Sequence, residues 1–226
     1  MIFTFFTYMR STLRYLGKSR KGLLRNKNQD KIIIFDEADF YLFVVFDGVS
    51  SLSSSYVFIN HFAKALRKNI VHLKASGDNL SQILYATHQQ VLSKQHDGMS
   101  TLSTLFYSKE NSSAKYVNIG DSRIYQFNNQ FIEKITFDDS LSDRSNILTK
   151  CLGTNDLTLA DFGYHETDVN YNYLICTDGF YQLMCENLKA YFEVYNFKYL
   201  KNIEKKLSLL QEKRNYDDSS YILIKK

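Results

Sequence analysis

The chain has 226 residues, a length sufficient for one domain with a substantial hydrophobic core, and we treat residues 1–226 as a single domain. Its net charge of +4 is modest and its basic residues are scattered, which argues against nucleic-acid binding, since that function concentrates basic residues on one face. The 3 cysteines fit neither a metal-ligand spacing nor a disulfide framework, so we expect a reducing, cytoplasmic location.

The first nine residues are hydrophobic but too few to span a bilayer. They lack the basic start and the small-residue cleavage site of a signal peptide. We therefore expect no membrane span. Residues 1–12 form an extension for which the sequence leaves three alternatives open: an edge strand, a disordered tail, or a start at Met9.

Apolar patterning predicts the first half of the fold in chain order. Runs rich in β-branched and aromatic residues predict strands over 31–35 and 40–46, and helical spacing predicts a helix over 56–73. A second helix is predicted to begin near Ser81 as its cap. Four further strands are expected over 103–107, 115–119, 123–127 and 131–135.

The second half adds a strand over 171–177, helical segments of which the last covers 199–213, and a final strand over 219–224. Many short antiparallel strands interrupted by two helical blocks predict an α+β fold rather than a doubly wound parallel sheet. We expect two antiparallel sheets packed face to face with helices outside them, a four-layer αββα sandwich.

Two of the predicted strands stop at Asp-Gly, at Asp47-Gly48 and at Asp178-Gly179. Asp-Gly is also a strong signal for a hairpin turn, but neither pair is followed by a second alternating strand. A carboxylate at the end of a buried strand costs free energy unless its charge is offset. Two such carboxylates suggest one shared partner, a metal ion.

Further aspartates occur at strand ends, namely Asp121 and the pair Asp217-Asp218. Each alone is more often a turn former or a surface charge. Together they form a set of oxygen donors with no His or Cys nearby, and such a set suits Mg²⁺ and Mn²⁺.

Seven short motifs, taken in order, resemble those of the metal-dependent serine/threonine protein phosphatases, the type-2C or PPM family, in its bacterial form. The resemblance covers the chain from about residue 20 to its C-terminus. The motifs are RNKNQD (25–30), VFDG (45–48), GMST (98–101), NIGDSR (118–123), IT (135–136), CTDG (176–179) and DDSS (217–220).

The resemblance implies a centre of two Mn²⁺ or Mg²⁺ ions. It implies that Asp47 bridges both ions, that Gly48 offers its backbone carbonyl, and that Asp178 and Asp217 are further ligands. In the same way, Asp121 matches a ligand of a possible third ion.

Three residues of the first motif complete the implied site. Asp30, and with less support Gln29, match groups that hold water molecules on the ions, and Arg25 matches the arginine that binds the substrate phosphate. The implied activity is hydrolysis of phosphoserine and phosphothreonine in substrates of a Ser/Thr kinase, by a monomeric signalling enzyme. Two alternatives stay open: an impaired phosphatase that binds or scaffolds phosphoproteins, and a phosphatase for small molecules.

Several residues depart from the family pattern. Val49 replaces the His of eukaryotic members and the Met of bacterial ones, and residues 50–51 replace a glycine pair. Gln29 stands where Glu is commoner. Asp218 replaces an Asn, which leaves open whether it or Asp217 is the ligand; we favour Asp217.

The family normally inserts a flap after residue 140, and only residues 141–146 stand in its place. We expect the short segment to leave the cleft open and to weaken both substrate selection and the third metal site.

Overall fold

Two five-stranded antiparallel sheets form the centre of the protein, in a computed structural model that describes residues 13–94, 97–111, 113–141 and 144–226. The predictions for residues 1–12 lie outside this part of the chain. The strands are β1 (Arg14–Arg20), β2 (Lys31–Asp36), β3 (Phe40–Phe46), β4 (Leu102–Ser108), β5 (Ala114–Ile119), β6 (Arg123–Phe127), β7 (Ile132–Lys134), β8 (Ser140–Leu141), β9 (Arg144–Leu148), β10 (His165–Thr167), β11 (Asn172–Cys176) and β12 (Ser219–Lys225).

One sheet has the order β10-β5-β4-β3-β2 and the other β1-β12-β11-β6-β7, while β8 and β9 pair as a separate hairpin. Five α-helices accompany the sheets within the described ranges. They are α1 (Ser55–Asn69), α2 (Leu80–Leu92), α3 (Asp178–Glu186), α4 (Leu188–Tyr195) and α5 (Leu200–Gln211).

Three buried hydrophobic clusters define the layers. One lies between the sheets and joins residues such as Phe43 of β3 to residues such as Ile175 of β11. The second packs the β3 sheet against α1 and α2, and the third packs the β12 sheet against α3, α4 and α5. The four-layer αββα sandwich expected from the sequence is therefore confirmed.

Most predicted strands and helices are present, but the predicted cap at Ser81 is wrong. Helix α2 begins at Leu80, and Ser81 is buried in its first turn. The residue before the helix, Asn79, directs its side-chain oxygen to the backbone N–H of Lys74, 2.9 Å away, so it fixes the preceding loop instead of capping the helix.

The flap position is occupied by the β8–β9 hairpin. Its Ile147 and Leu148 contribute to one wall of the cleft described below. These two residues directly follow the short segment 141–146, so the chain after that segment borders the cleft. The described residues here, 140–141 and 144–148, form strands. No helix in the described ranges is long and apolar enough to cross a membrane.

Candidate metal centre

Antiparallel pairing brings the predicted site residues to one end of the sandwich. In the first sheet, the start of β2 lies opposite the end of β3, and the start of β4 lies opposite the end of β5. In the second sheet, the end of β11 lies opposite the starts of β6 and β12. Residues that flank these strand ends therefore lie at the same edge of the sandwich. Asp30 and Asp217, for example, both lie there although 187 positions separate them in the sequence.

A cleft of about 440 Å³ opens at this edge. Six of the eight predicted site residues line it, together with Val49, Ser50 and Thr101. The six are Arg25, Asp47, Gly48, Asp121, Asp178 and Asp217. The other two, Gln29 and Asp30, are not in its lining, and Asp30 is buried.

Asp47 follows β3 and is fixed through its backbone. Its N–H donates to the Thr101 hydroxyl at 3.1 Å, and its carbonyl accepts from the Thr101 N–H at 2.9 Å. Burial, then the negative charges of Asp30 and Asp178, raise the pKa of the Asp47 carboxyl well above its usual range. The Asp178 carboxyl therefore lies near enough to disfavour a negative charge on Asp47.

Asp178 is the first residue of α3, where the helix dipole favours a negative charge. Burial and the neighbouring Asp217 raise its pKa, while a hydrogen bond from the backbone N–H of Gly179 opposes the rise. Gly179 packs directly against the loop before β12: a Cβ atom there would lie 2.1 Å from the carbonyl oxygen of Asp218. Close approach of the backbones therefore requires glycine at this position.

Asp30 links the two sheets. Its Oδ2 accepts a hydrogen bond of 2.9 Å from the hydroxyl of Thr177. The same hydroxyl oxygen accepts a hydrogen bond of 2.9 Å from the backbone N–H of Ser220. Burial raises the pKa of Asp30 to about 8. Its Oδ1 atom and the Oε1 atom of Gln29 are buried and have no hydrogen-bond partner among the described residues.

Asp121 follows β5 across Gly120, whose φ of 98° lies in the region that favours glycine. A Cβ atom at Gly120 would also lie 2.6 Å from the Thr101 side chain. Burial, then the charge of Asp178, raise the pKa of Asp121 to about 6. The carboxyl thus lies in the electrostatic field of the other aspartates.

Asp217 and Asp218 have different surroundings. Both oxygens of the buried Asp218 accept backbone N–H bonds, from Gly22 at 2.9 Å and from Gln29 at 2.8 Å. Asp217 faces the cleft and accepts two hydrogen bonds from Arg25, each of 2.5 Å. Of the two neighbouring aspartates, Asp217 is therefore the one placed in the cleft, and Asp218 has the hydrogen-bonding role of a loop anchor.

The donor set suits a hard divalent cation in its chemistry. The cleft residues offer carboxylate and carbonyl oxygens. Burial first, and then the charges of neighbouring aspartates, raise the pKa values of Asp47, Asp121 and Asp178, and a bound cation would offset both effects. Within the described ranges, no group of three or more His, Cys, Asp or Glu side chains is already arranged to hold a metal ion. Binding of a cation would favour the ionised form of these carboxyls, because ligands must lose their protons.

Two threonines support the site, and neither received a role from the sequence. Thr177 positions Asp30, and Thr101 holds the backbone of Asp47. Thr101 belongs to the GMST motif and Thr177 to the CTDG motif, so their place in these motifs was a signal that they contribute to the site. Their hydrogen bonds cross between strands distant in sequence, which no local pattern reveals.

Comparison with solved structures identifies the architecture. The chain resembles the PPM Ser-Thr phosphatase MsPP from Mycobacterium smegmatis, with a TM-score of 0.76 and 17% identity over 94% of this chain and 97% of that one. The serine/threonine phosphatase of S. agalactiae gives a TM-score of 0.78 and 13% identity over 95% and 99% of the two chains. PstP from Mycobacterium tuberculosis gives 0.70 and 19% over 94% and 98%.

No protein-family profile matches the sequence, and a comparison with curated proteins finds no match either. The structural likeness nevertheless extends over nearly the whole length of both chains in each pair. The chain therefore has the fold of the bacterial PPM serine/threonine phosphatases.

Proposed function

We propose that the protein is a Mn²⁺- or Mg²⁺-dependent phosphatase that hydrolyses phosphoserine and phosphothreonine in proteins. The observation that carries the proposal is the set of four carboxyls, Asp47, Asp121, Asp178 and Asp217, that line one cleft with Arg25 beside them. A protein has little reason to gather mutually repelling carboxyls at one edge unless a cation binds them. The shared fold adds support, since the catalytic domain of PstP has been solved with 2 manganese ions.

The residues divide into direct and indirect ligands in this proposal. Asp47 would hold both cations, Gly48 would offer its carbonyl, and Asp178 and Asp217 would each hold one cation. Asp121 faces a possible third. When bound, two divalent cations lower the pKa of a water molecule and neutralise phosphate charge.

Asp30 and Gln29 lie behind these ligands and orient water. The free Oδ1 of Asp30 and the free Oε1 of Gln29 are each able to accept a hydrogen bond from a water molecule in the site. Because Thr177 holds the other oxygen of Asp30, the carboxyl has a fixed orientation.

Arg25 binds the substrate phosphate. Its Nε and Nη2 already hold the two oxygens of Asp217, the same paired geometry that a phosphate group presents. Each oxygen of Asp217 has a second lone pair that is able to ligate a cation while Arg25 is bound. In this proposal Arg25 exchanges Asp217 for the phosphate when the substrate binds. Val49 has no ionisable group, so water or another group supplies the proton to the leaving oxygen.

Release of p-nitrophenol from p-nitrophenyl phosphate tests the activity. It is measured with Mn²⁺, with Mg²⁺ and with chelator, in wild type and in Asp178→Asn. Metal-dependent turnover that the substitution abolishes supports the proposal. Metal binding without turnover of this ester or of phosphopeptides contradicts it and identifies a phosphoprotein-binding module; turnover of small esters but not of phosphopeptides identifies a small-molecule phosphatase.

A further inference from the structure

A second groove, with a volume of about 630 Å³, adjoins the metal-site cleft on the side of α3. Arg25 and Asp217 line both cavities, so the two are continuous past the proposed phosphate position. The groove lies on the other side of this pair from the β8–β9 hairpin, whose Ile147 and Leu148 line only the cleft.

The rim of this groove is apolar and exposed. The side chains of Leu24 and Tyr216 have exposed fractions of 79% and 59% and both line the groove. Their chain segments are tied together, since the Leu24 N–H donates to the Tyr216 carbonyl at 3.1 Å and the Leu23 N–H to the Asn215 carbonyl at 2.8 Å. The two large side chains are thus presented from a rim fixed by backbone hydrogen bonds.

The floor and far end of the groove come from the first helix of the C-terminal block. Gly179 and the largely buried Leu183 of α3 line the floor. An ion pair between Arg214 and Glu186 closes the far end, so these opposite charges offset each other. Gln182 of α3 adds a polar amide to the lining. Beyond Arg25 and Asp217, the groove therefore offers the apolar side chains of Leu24 and Leu183 and the ring of Tyr216, beside polar groups without a net charge.

We propose that this groove binds the polypeptide next to the phosphorylated residue and takes an apolar side chain against Leu24 and Tyr216. The inference rests on the proposed function, because Arg25 must hold the phosphate for the flanking residues to reach the groove. An extended chain advances about 3.3–3.6 Å per residue, so the apolar side chain belongs to a residue within about three positions of the phosphoresidue. A small phosphate ester occupies the cleft alone and does not reach Leu24 or Tyr216.

The groove is tested with a series of phosphopeptides that differ only in the position of one leucine, compared by kcat/KM. Each has a phosphoserine flanked by alanines, with a single leucine moved through the three positions on either side; the all-alanine peptide is the reference. We expect one leucine position to raise kcat/KM by about fivefold, as partial burial of a leucine side chain implies. Leu24→Ser and Tyr216→Ser remove that gain and leave p-nitrophenyl phosphate turnover within about twofold of wild type.

Two matched variants serve as controls. Leu209→Ser and Tyr199→Ser remove side chains of the same kind that are exposed away from the groove, with exposed fractions of 52% and 61%. Neither is expected to change the preference between peptides. Equal turnover of all peptides by wild type, or an unchanged preference in both groove variants, overturns the proposal.

A binding measurement separates failure of the groove from failure of the proposed function. Polarisation of a fluorescent leucine phosphopeptide is measured in the presence of Mn²⁺ with Asp47→Asn, with and without Leu24→Ser. Weaker binding by about fivefold in the double variant supports the groove even if no turnover is found; equal binding overturns it. Conversion of a wild-type dimer to a monomer by Leu24→Ser also overturns it, because the groove would then bind a second copy.

Discussion

The two Asp-Gly strand ends have the same sequence pattern but different structures. After Asp47-Gly48 the chain stays irregular, bridges to Ser100, and becomes helical only at Ser55. At Asp178-Gly179 helix α3 begins at once, so Asp178 receives both the helix dipole and the Gly179 N–H. Asp47 has no such offset, and burial raises its pKa well above the usual range.

This difference assigns unequal roles to two residues that look equivalent in the sequence. Asp178 is partly stabilised as an anion by its own backbone, whereas Asp47 depends on an external positive charge or on a proton. We therefore expect the ionisation of Asp47 to depend on a bound cation more strongly than the ionisation of Asp178 does. The Asp47 end of the site also has the family departures at Val49 and Ser50, both of which line the cleft.

The largest expected effect comes from removing either carboxylate charge. Asp47→Asn and Asp178→Asn each lower metal-dependent phosphate release by at least about 100-fold, because each removes an anionic ligand. Without metal, Asp47→Asn raises Tm more than Asp178→Asn does, since Asp47 lacks the helix and backbone donors. Thermal scans in chelator measure the second effect; equal Tm changes would remove the distinction between the two strand ends.

The two glycines differ in how tightly they are packed. A Cβ at Gly179 would meet the Asp218 carbonyl oxygen at 2.1 Å, and one at Gly48 would meet the Gln29 side chain at 2.8 Å and its carbonyl at 2.9 Å. We expect Gly179→Ala to lower the free energy of unfolding by about 2–3 kcal/mol and Gly48→Ala by less. Urea denaturation of the metal-free proteins measures both, and the reverse order would contradict the packing described here.

Stability of the metal-free protein should fall as pH rises from about 4 to about 8. Asp30 has a folded-state pKa of about 8 against an ordinary value of 3.8, so its stabilising contribution is complete below the ordinary pKa and is lost as pH rises through 8. One such group changes the free energy of unfolding by at most about 1.4 kcal/mol per pH unit. Tm in chelator should decrease from pH 6.5 to 8.5, and less so in Asp30→Asn. A wild-type Tm that rises over this range would contradict the assignment.

The smallest effect is expected at Val49. Its backbone N–H donates to the Met99 carbonyl at 3.0 Å, a bond that any side chain except proline preserves. Since valine has no proton to give, Val49→Met should change kcat for p-nitrophenyl phosphate by less than about threefold. A much larger gain would indicate that the native residue impairs the site, as in a phosphatase adapted to binding.

Local patterns in the sequence were sufficient to predict the layers, and the motifs include six residues that the structure brings to one cleft. Apolar runs ending at Asp47 and Asp178 marked buried strands, and the order of the motifs identified the other cleft residues. Strand β1 escaped prediction because its residues, Arg14 to Arg20, are mostly polar and half buried, with no alternation. It gains its place through pairing with β12, a contact more than 200 positions away.

The parts of the site that escaped prediction all depend on distant pairing. The Arg25–Asp217 ion pair and the Thr177–Asp30 hydrogen bond join residues 192 and 147 positions apart. The separate roles of Asp217 and Asp218 depend on the loops that meet there, because one residue faces the cleft and the other accepts from Gly22. Sequence spacing alone left that pair ambiguous by one position.

Anomalous diffraction at the manganese edge, from crystals grown with Mn²⁺, tests the central claim most directly. The account predicts two strong peaks in the cleft of the wild-type protein, both beside Asp47 and one of them beside Asp178, and loss of at least one peak in Asp47→Asn. Crystals soaked in millimolar Mn²⁺ whose anomalous map shows no peak beside Asp47 would contradict it.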